Sequence, residues 1–277
     1  MKQYFEGWYL KHQNKGKTMA LIPGKSMEEA FVHVVTDEEA YFITYPLADY
    51  QKGEVLTIGE NTFSESGVSL NMDRPDLRLE GTIKYGELTP IKGDIMGPFR
   101  HFPMECRHGI LSMKHDLTGQ VVLNGEIYDF DEGRGYIELD SGTSFPKGYS
   151  WVHCNDFEED CSIVAAVARI PFYGLKFWGC ICVVWLNGKE YRLATYKGVK
   201  IVENKPGLIE LKQGKYRLIV QVDSEGGHQL PAPRRGKMDH AIVEDISCPA
   251  TFKFMKGAEV LFEGSSTRAS YEYHEGR

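Results

Sequence analysis

The sequence predicts an all-β protein with very little helix, built as two similar halves. Three observations lead to this class: short apolar runs bounded by turn residues, two Asn-Gly hairpin signals, and an order of features that recurs in the second half. The composition agrees, because 29 glycines together with 4 Trp, 15 Tyr and 14 Phe are typical of strands and tight turns.

Alternating or continuous apolar runs of strand length occur throughout the chain. Their β-branched and aromatic content favours strands over helices. The clearest runs are residues 18–22, 30–35, 40–45, 77–85, 163–170, 180–186 and 216–222. Helical patterns are scarce, and residues 26–30 and 112–117 could each form a turn or two at most.

Two antiparallel hairpins are predicted with a specific turn type. Asn124-Gly125 and Asn187-Gly188 each stand between strand-like flanks. Asn-Gly supplies the two positive φ angles that a type I′ turn needs, so each pair is expected to join two neighbouring strands.

The first half of the sequence resembles the second in five segments that keep the same order. Short β patterns can agree by chance, but five ordered matches favour a duplication. The pairs are 7–12 with 150–155, 20–24 with 168–172, 40–45 with 190–196, 88–90 with 230–233, and 125–130 with 257–262. We therefore predict two domains, 1–145 and 146–277, each with enough strands to close or nearly close a β-barrel.

The length and charge exclude several classes of protein. With 277 residues there is room for one large domain or two modest ones. The net charge is −7, and the chain has no Lys/Arg run, so nucleic acid is not expected as a partner. We find neither a secretory leader nor an apolar segment long enough to span a bilayer, which predicts a cytoplasmic protein. Oligomeric state is undetermined.

The cysteines and glycines give no sign of a metal or a nucleotide cofactor. Cys106, Cys154, Cys161, Cys180, Cys182 and Cys248 form no C-x-x-C pair, and they are interpreted as structural. There is no P-loop and no G-x-S-x-G, and Gly133-Arg134-Gly135 lacks the third glycine of a dinucleotide fingerprint. We predict neither cofactor nor metal.

Polar residues crowd two central segments, 98–109 and 133–146. In a strand, Tyr136, Glu138 and Asp140 share one face while Ile137 and Leu139 point the other way. This polar face lies either in a shared pocket or in solvent, with surface ion pairs. A carboxyl group against aromatic walls suits a general acid, so Glu138 or Asp140 is the predicted proton donor.

The same alternation places further polar and aromatic side chains together. It puts Glu105 beside Arg107, where an ion pair is expected if the two meet, and it sets Tyr149, Trp151, His153 and Asn155 on one side of the next segment. Residues 171–179 form a predicted aromatic loop, which is either core or a mouth that contacts an apolar ligand or a membrane surface.

Several segments together resemble the tocopherol cyclase family in its shorter bacterial form. They are Phe5-Glu6-Gly7-Trp8-Tyr9-Leu10-Lys11, Ile95-Met96-Gly97-Pro98-Phe99, Met104-Glu105-Cys106-Arg107-His108-Gly109, Gly135-Tyr136-Ile137-Glu138, Ser144-Phe145-Pro146, Trp151 with Asn155, and Ala194-Thr195-Tyr196. The resemblance implies two tandem lipocalin-like β-barrels, related to carotenoid hydratase-like proteins. It also implies protonation of a prenyl double bond and ring closure without a redox cofactor. Ser141 and His153 depart from the family pattern, which often has Trp and Gln there.

The resulting hypothesis is a protein that binds a prenylated, isoprenoid or lipid-like molecule and cyclises or hydrates it by acid catalysis. Asp140 or Glu138 is the acid, and Tyr136, Trp8 and Trp151 form a cation-stabilising wall. Glu105, Arg107, His108, His153 and Asn155 are the predicted orienting groups. The alternative is a carrier or sensor that binds such a ligand without chemistry. Peripheral membrane contact is left open in both cases.

Overall fold

A computed structural model describes residues 4–172 and 174–276 and consists almost entirely of antiparallel strands. The strands of the first sheet are β1 (Phe5–Asn14), β2 (Lys17–Lys25), β3 (Ala30–Thr36), β4 (Ala40–Tyr45), β5 (Tyr50–Lys52), β6 (Leu56–Ile58), β7 (Asn61–Ser64), β8 (Gly67–Arg74), β9 (Leu77–Tyr85), β10 (Cys106–Leu123), β11 (Glu126–Asp129) and β12 (Gly133–Gly142).

The strands of the second sheet are β13 (Tyr149–Cys154), β14 (Cys161–Phe172), β15 (Leu175–Leu186), β16 (Lys189–Ala194), β17 (Lys200–Lys205), β18 (Leu208–Gln213), β19 (Tyr216–Val222), β20 (His228–Arg234), β21 (Lys237–Lys256) and β22 (Glu259–His274). Helix among the described residues is limited to three 3₁₀ segments, Leu47–Asp49, Gly97–His101 and Thr195–Lys197.

The two sheets follow the same order over nine strands, and the first sheet continues with β6 and β5. The first runs β4-β3-β2-β1-β12-β10-β9-β8-β7-β6-β5, with β11 paired to β10, and the second runs β16-β15-β14-β13-β22-β21-β19-β18-β17, with β20 paired to β21. In each, a four-strand meander meets the last strand of its own half, as a duplication predicts. The all-β class is confirmed, although neither path of described strands closes into a ring by hydrogen bonding.

The chain divides into two compact units, and each takes in a segment from the other half of the sequence. Unit 1 contains residues up to Pro90, Ile110–Ser144 and Pro231–His240, and unit 2 contains Ile91–Gly109, Phe145–Leu230 and the chain from Ala241 onward. The predicted domain boundary near residue 145 stays a prediction.

Strand positions follow the sequence patterns closely. All seven predicted runs lie in strands, and residues 40–45, 77–85 and 216–222 coincide with β4, β9 and β19. Both Asn-Gly pairs have the positive φ angles of the predicted turn, 51° and 89° at residues 124 and 125, and 50° and 73° at 187 and 188. The helical alternative for residues 112–117 was wrong, because this segment lies within β10, paired in a continuous sheet.

Each unit has its own apolar core, formed by alternate residues of its strands. Leu10, Leu21, Val32 and Ile137 belong to the first core. Val152, Ile163, Val184 and Phe252 belong to the second. Burial of these alternating side chains fixes the register, because a slip of one residue would turn the apolar set outward.

The predicted aromatic loop at 171–179 is instead the end of the long β14–β15 hairpin. The pairing of the two strands continues as far as Phe172 with Leu175. Tyr173 and the side chains of Phe172 and Leu175 lie outside the described residues. The choice between core and a mouth for an apolar ligand stays a prediction there.

Candidate functional site

The candidate site in unit 1 is built on the adjacent strands β1 and β12. Their antiparallel register places Tyr9 opposite Glu138 and Lys11 opposite Tyr136. Directly opposed residues of such a pair point to the same face. Because Leu10 and Ile137 fill the core, the face with Tyr136, Glu138 and Asp140 is the other one. The shared face predicted for these three residues is therefore observed.

This face is buried although it is polar. Tyr136 has no exposed surface, Lys11 is 1% exposed and Glu138 is 5% exposed. Asp140 is half-buried. The alternative of a solvated face with surface ion pairs does not hold for Tyr136 and Glu138. Burying polar groups is costly unless they are hydrogen-bonded, so such a face needs specific partners.

The central contact is a hydrogen bond from Tyr136 to Glu138. The Tyr136 hydroxyl donates to Oε2 of Glu138 at 2.6 Å. Burial raises the pKa of the Tyr136 phenol well above its usual value, and the charges of Glu138 and Asp140 act in the same direction. Tyr136 therefore remains a neutral donor at any ordinary pH. The Tyr9 ring packs edge-on against the Tyr136 ring, with centroids 6.5 Å apart.

The two carboxyl groups of β12 lie close together. A carboxylate oxygen of Glu138 is within 4.8 Å of one of Asp140. Two such groups on alternate residues of one strand can share a proton, or they can contribute oxygen ligands to a divalent cation. The expectation that the protein holds no metal stays a prediction.

Trp8, predicted as part of the aromatic wall, lies on the other face of β1. It packs against the first core, and its strand partner is Leu139 rather than Glu138. The structure therefore does not bring Trp8 together with Tyr136 and Glu138. Whether it contacts a ligand from the core side stays a prediction.

Glu105, Arg107 and His108 lie at or just before the start of β10. Arg107 is exposed, whereas Glu105 and His108 are half-buried. The pairing of Glu105 with Arg107, expected if the two meet, stays a prediction. Their roles as orienting groups stay predictions.

In unit 2, the other predicted aromatic and polar residues lie in β13 and directly after it, and they are buried. Trp151 is 5% exposed and Asn155 1%, while His153 has no exposed surface. The Trp151 and His153 rings stack at 6.4 Å, with an interplanar angle of 28°. Val152 and Cys154 point into the core, so the predicted alternation is observed.

The faces also correct the alignment of the two halves. Trp8 packs against its core, whereas Trp151 lies on the face opposite Val152 and Cys154. The match of residues 7–12 with 150–155 is therefore out of step by one residue, because successive side chains of a strand alternate between faces. The shared strand order of the two sheets supports the duplication, whereas the match of Trp8 with Trp151 does not.

Sequence reasoning missed a second pair of phenol and carboxylate. In unit 2, the Tyr149 hydroxyl donates a short hydrogen bond to Oε2 of Glu272 on β22. The two residues are far apart in the sequence, and no local pattern predicts their contact. The pairing of β13 with β22 brings them together.

A buried histidine network in the core of unit 1 was also missed. His12 Nδ1 donates to the Met19 carbonyl at 3.3 Å, so its Nε2 accepts from the Tyr85 hydroxyl at 2.7 Å. The Tyr85 ring in turn packs against the His115 ring, with centroids 4.6 Å apart. Histidines at core-facing positions of β1 and β10 were the available signal, but single polar residues in strands are common.

The tautomer of His115 follows from its partner. The Ser112 hydroxyl donates to the Lys114 carbonyl at 2.8 Å. His115 Nδ1 therefore donates to Ser112 Oγ, at 3.0 Å. Its Nε2 is a buried acceptor without a hydrogen-bond partner among the described residues. Burial lowers the pKa of His12 to about 3, with a further contribution from His115, and lowers that of His115 to about 4.

The cysteines agree with a structural role. All six are free thiols, and five of them are buried. Burial raises the pKa of Cys182 well above its usual value, so this thiol is not a reactive thiolate at neutral pH.

These features define a class: an all-β protein of two tandem lipocalin-like domains. Two solved structures share this fold. That of kievitone hydratase from Nectria haematococca covers 98% of this chain and 88% of its own, with a TM-score of 0.55 and 12% identity. The structure of CghA covers 99% of this chain and 89% of its own, with a TM-score of 0.61 and 7% identity. At such identities the likeness establishes the fold alone.

The family resemblance comes from the sequence itself. Residues 76–207 match the profile of the family described as tocopherol cyclase-like. A relative from Oryza sativa subsp. japonica, described as "Probable tocopherol cyclase, chloroplastic", is 31% identical over 85 residues, which are 30% of this chain and 18% of that protein. The predicted resemblance to the tocopherol cyclase family is confirmed, over a segment that spans less than a fifth of that relative.

Among the described residues, no helix combines the length and the apolar composition that crossing a bilayer requires.

Proposed function

We propose that this protein is a cyclase or hydratase that acts on a prenylated or isoprenoid molecule by protonating a double bond, without a redox cofactor. The family match and the name of the rice relative support ring closure. The name of the kievitone hydratase structure supports addition of water by a protein of the same fold. Both reactions begin with the same step, proton transfer to an alkene.

The observation that carries the proposal is the buried hydrogen bond between Tyr136 and Glu138, beside Asp140. The two carboxyl groups share this face of β1 and β12 with Lys11, which lies opposite Tyr136, and with Arg134, which lies four residues before Glu138. If Lys11 balances one carboxylate, burial favours the neutral acid form of the other. Glu138 is the better candidate acid, because it is the more deeply buried of the two.

Each step balances in protons and bonds. Glu138 gives its proton to one alkene carbon and leaves a tertiary cation at the other. The Tyr136 and Tyr9 rings stabilise this cation, each contact contributing about 0.5–2 kcal/mol. A phenol oxygen of the substrate attacks to close a ring, or water attacks to hydrate it. The proton lost from that oxygen returns to Glu138, while the Tyr136 hydroxyl stabilises the intermediate carboxylate.

Turnover of a prenylated quinol in D₂O tests the proposal. Cyclisation gives an isomer of the substrate, hydration adds one water, and either product carries one deuterium at the protonated carbon. Glu138→Gln should lower kcat about a hundredfold or more. Glu263→Gln, on an exposed ion pair with Lys253, is the matched control and should leave kcat unchanged.

Two outcomes would contradict the proposal. Wild-type protein that binds the quinol and returns it unchanged would favour a carrier or sensor. Product formed at the wild-type rate by both Glu138→Gln and Asp140→Asn would remove the acid from the mechanism. The roles of Trp151, His153 and Asn155 in binding, and a cytoplasmic location, remain predictions.

A further inference from the structure

The two Asn-Gly pairs of the chain occupy the same kind of turn. Asn124-Gly125 joins β10 to β11, and Asn187-Gly188 joins β15 to β16. All four residues are exposed, and a Cβ at either glycine would meet nothing within 4 Å. The proposed acid chemistry uses neither turn. Sequence and exposure therefore do not distinguish the two pairs.

Hydrogen bonds of the asparagine side chains do distinguish them. Oδ1 of Asn124 accepts from the Arg78 amide at 2.8 Å, and its Nδ2 donates to the Tyr41 hydroxyl at 2.9 Å. Within the described part of the chain, the Asn187 side chain has no hydrogen-bond partner. The backbone contact is the same at both sites, because each asparagine amide donates to a carbonyl oxygen, that of Arg78 or Asp160, at 2.8 Å. The Asn124 side chain is thus fixed, and that of Asn187 is free to rotate.

An asparagine before glycine can lose its side-chain amide group without an enzyme. The backbone nitrogen of the glycine attacks Cγ of the asparagine, a C–N bond forms, and the Cγ–Nδ2 bond breaks. Ammonia leaves with the proton of the glycine N–H, and a cyclic succinimide remains. Water then opens the ring at either carbonyl, which gives aspartate or isoaspartate. Glycine favours this reaction, because it has no side chain to hinder its nitrogen and restricts the backbone least.

The turn controls the first step of this reaction. In a type I′ turn the asparagine has a left-handed backbone, which directs the glycine nitrogen away from Cγ, so the turn must open before the attack. Opening at Asn124 also breaks the bonds to Arg78 and Tyr41, whereas opening at Asn187 breaks no side-chain bond to a described residue. Each such bond adds to the free energy of local opening. The reactive conformation is therefore more populated at Asn187.

We propose that Asn187 is the site at which this protein deamidates spontaneously, and that Asn124 is protected by its hydrogen bonds. The isoaspartyl form adds a methylene group to the backbone of a two-residue turn, so it disturbs the pairing of Leu186 with Lys189. It is also the chemical group that isoaspartyl methyltransferases recognise. This inference does not depend on the acid chemistry, since deamidation needs no turnover.

Ageing of the purified protein tests the inference directly. The protein is kept in neutral buffer at physiological temperature, and peptide mass spectrometry follows the replacement of NH₂ by OH at each asparagine over time. Methyl transfer by an isoaspartyl methyltransferase measures the isoaspartyl form. Asn187 should convert faster than Asn124 by on the order of tenfold. In concentrated urea, where both turns are unfolded, the two rates should become similar.

Two tyrosine variants separate the hydrogen bonds from other properties of the turns. Tyr41→Phe removes the acceptor of the Asn124 side chain, and it should raise conversion at Asn124 about fivefold without changing that at Asn187. Tyr191→Phe is the matched control, because this tyrosine lies in β16, directly after the Asn187 turn, and its ring packs against Phe254. It should change neither rate. Circular dichroism and a thermal melt establish that each variant is folded.

Three results would overturn the proposal. The first is equal conversion of the two asparagines in the folded protein, including no conversion of either while the sample in urea is converted. The second is faster conversion of Asn124 than of Asn187. The third is an unchanged rate at Asn124 in folded Tyr41→Phe.

Discussion

The Tyr136 hydroxyl donates to Glu138, two residues further along the same strand, and both side chains are buried. Removing the hydroxyl leaves the buried carboxyl group without this donor. Tyr136→Phe should therefore lower the free energy of unfolding by about 1.5–3 kcal/mol, measured by urea denaturation. Tyr191→Phe, in a ring packed against Phe254, is the control and should change it by less than about 0.5 kcal/mol. Equal changes would contradict the structural importance of the bond.

Gly135 is predicted to be intolerant of a side chain. A Cβ at this position would lie 2.2 Å from Nε2 of His115, whose ring is held by Ser112 and Tyr85. Gly135→Ala should cost about 1–3 kcal/mol through overpacking. Gly7→Ala, on the paired strand β1, is the control, because its Cβ would meet nothing closer than 3.6 Å. Thermal melts of both variants provide the comparison, and similar Tm values would show that the His115 ring can move.

Arg192 is expected to fix the segment from Lys92 to Asp94. It pairs with Glu190 at 2.7 Å, with the two side chains only 8% and 6% exposed. Arg192→Ala should cost about 3–5 kcal/mol, since it leaves a buried charge unpaired. It should also speed amide hydrogen exchange at residues 92–97.

The exposed pair of Arg217 and Glu210 supplies the control for that experiment. Its N···O distance is similar, 2.8 Å, but the Arg217 side chain is 46% exposed. Arg217→Ala should cost less than about 1 kcal/mol. If exchange at residues 92–97 stays slow in Arg192→Ala, other contacts hold the segment.

Stability should fall steeply in mild acid because of three buried histidines. Burial lowers the pKa of His12 and His33 to about 3 and that of His115 to about 4, against 6.5 for an accessible histidine. Below pH 6.5 the unfolded chain therefore takes up protons that the folded chain does not. Each histidine contributes a loss of about 1.4 kcal/mol per pH unit as the pH falls from 6.5 toward its folded-state pKa.

Single substitutions resolve this contribution. His33→Phe keeps a ring between Phe31 and Phe42 and should reduce the slope of unfolding free energy against pH by about 1.4 kcal/mol per unit below pH 6. His101→Phe replaces an exposed histidine and should leave the slope unchanged. The same slope in wild type and His33→Phe would mean that His33 is protonated in the folded protein.

The local parts of the fold could be predicted and the long-range parts could not. Period-2 patterns located β4, β9 and β19, and they placed Tyr136, Glu138 and Asp140 on one face, because alternation is a property of the strand itself. Which strand lies beside which depends on contacts between residues far apart in the sequence. His12 and Tyr85 are 73 residues apart in sequence, and no local pattern relates them. Trp8 was misplaced for a similar reason, since aligning it with Trp151 ignored which face each core occupies.

Each compact unit contains a segment from the other half of the sequence, so the sequence repeat and the compact units have different boundaries. Residues 91–109, from the β9–β10 connection into the start of β10, belong to unit 2, and residues 231–240, from β20 into the start of β21, belong to unit 1. Within unit 1, for example, the Met27 amide donates to the Gly236 carbonyl at 2.8 Å. A chain cut at residue 145 would give two fragments that each lack part of a unit, so they should complement each other when mixed rather than fold separately. The repeat follows the two halves of the sequence, whereas each compact unit contains residues from both halves.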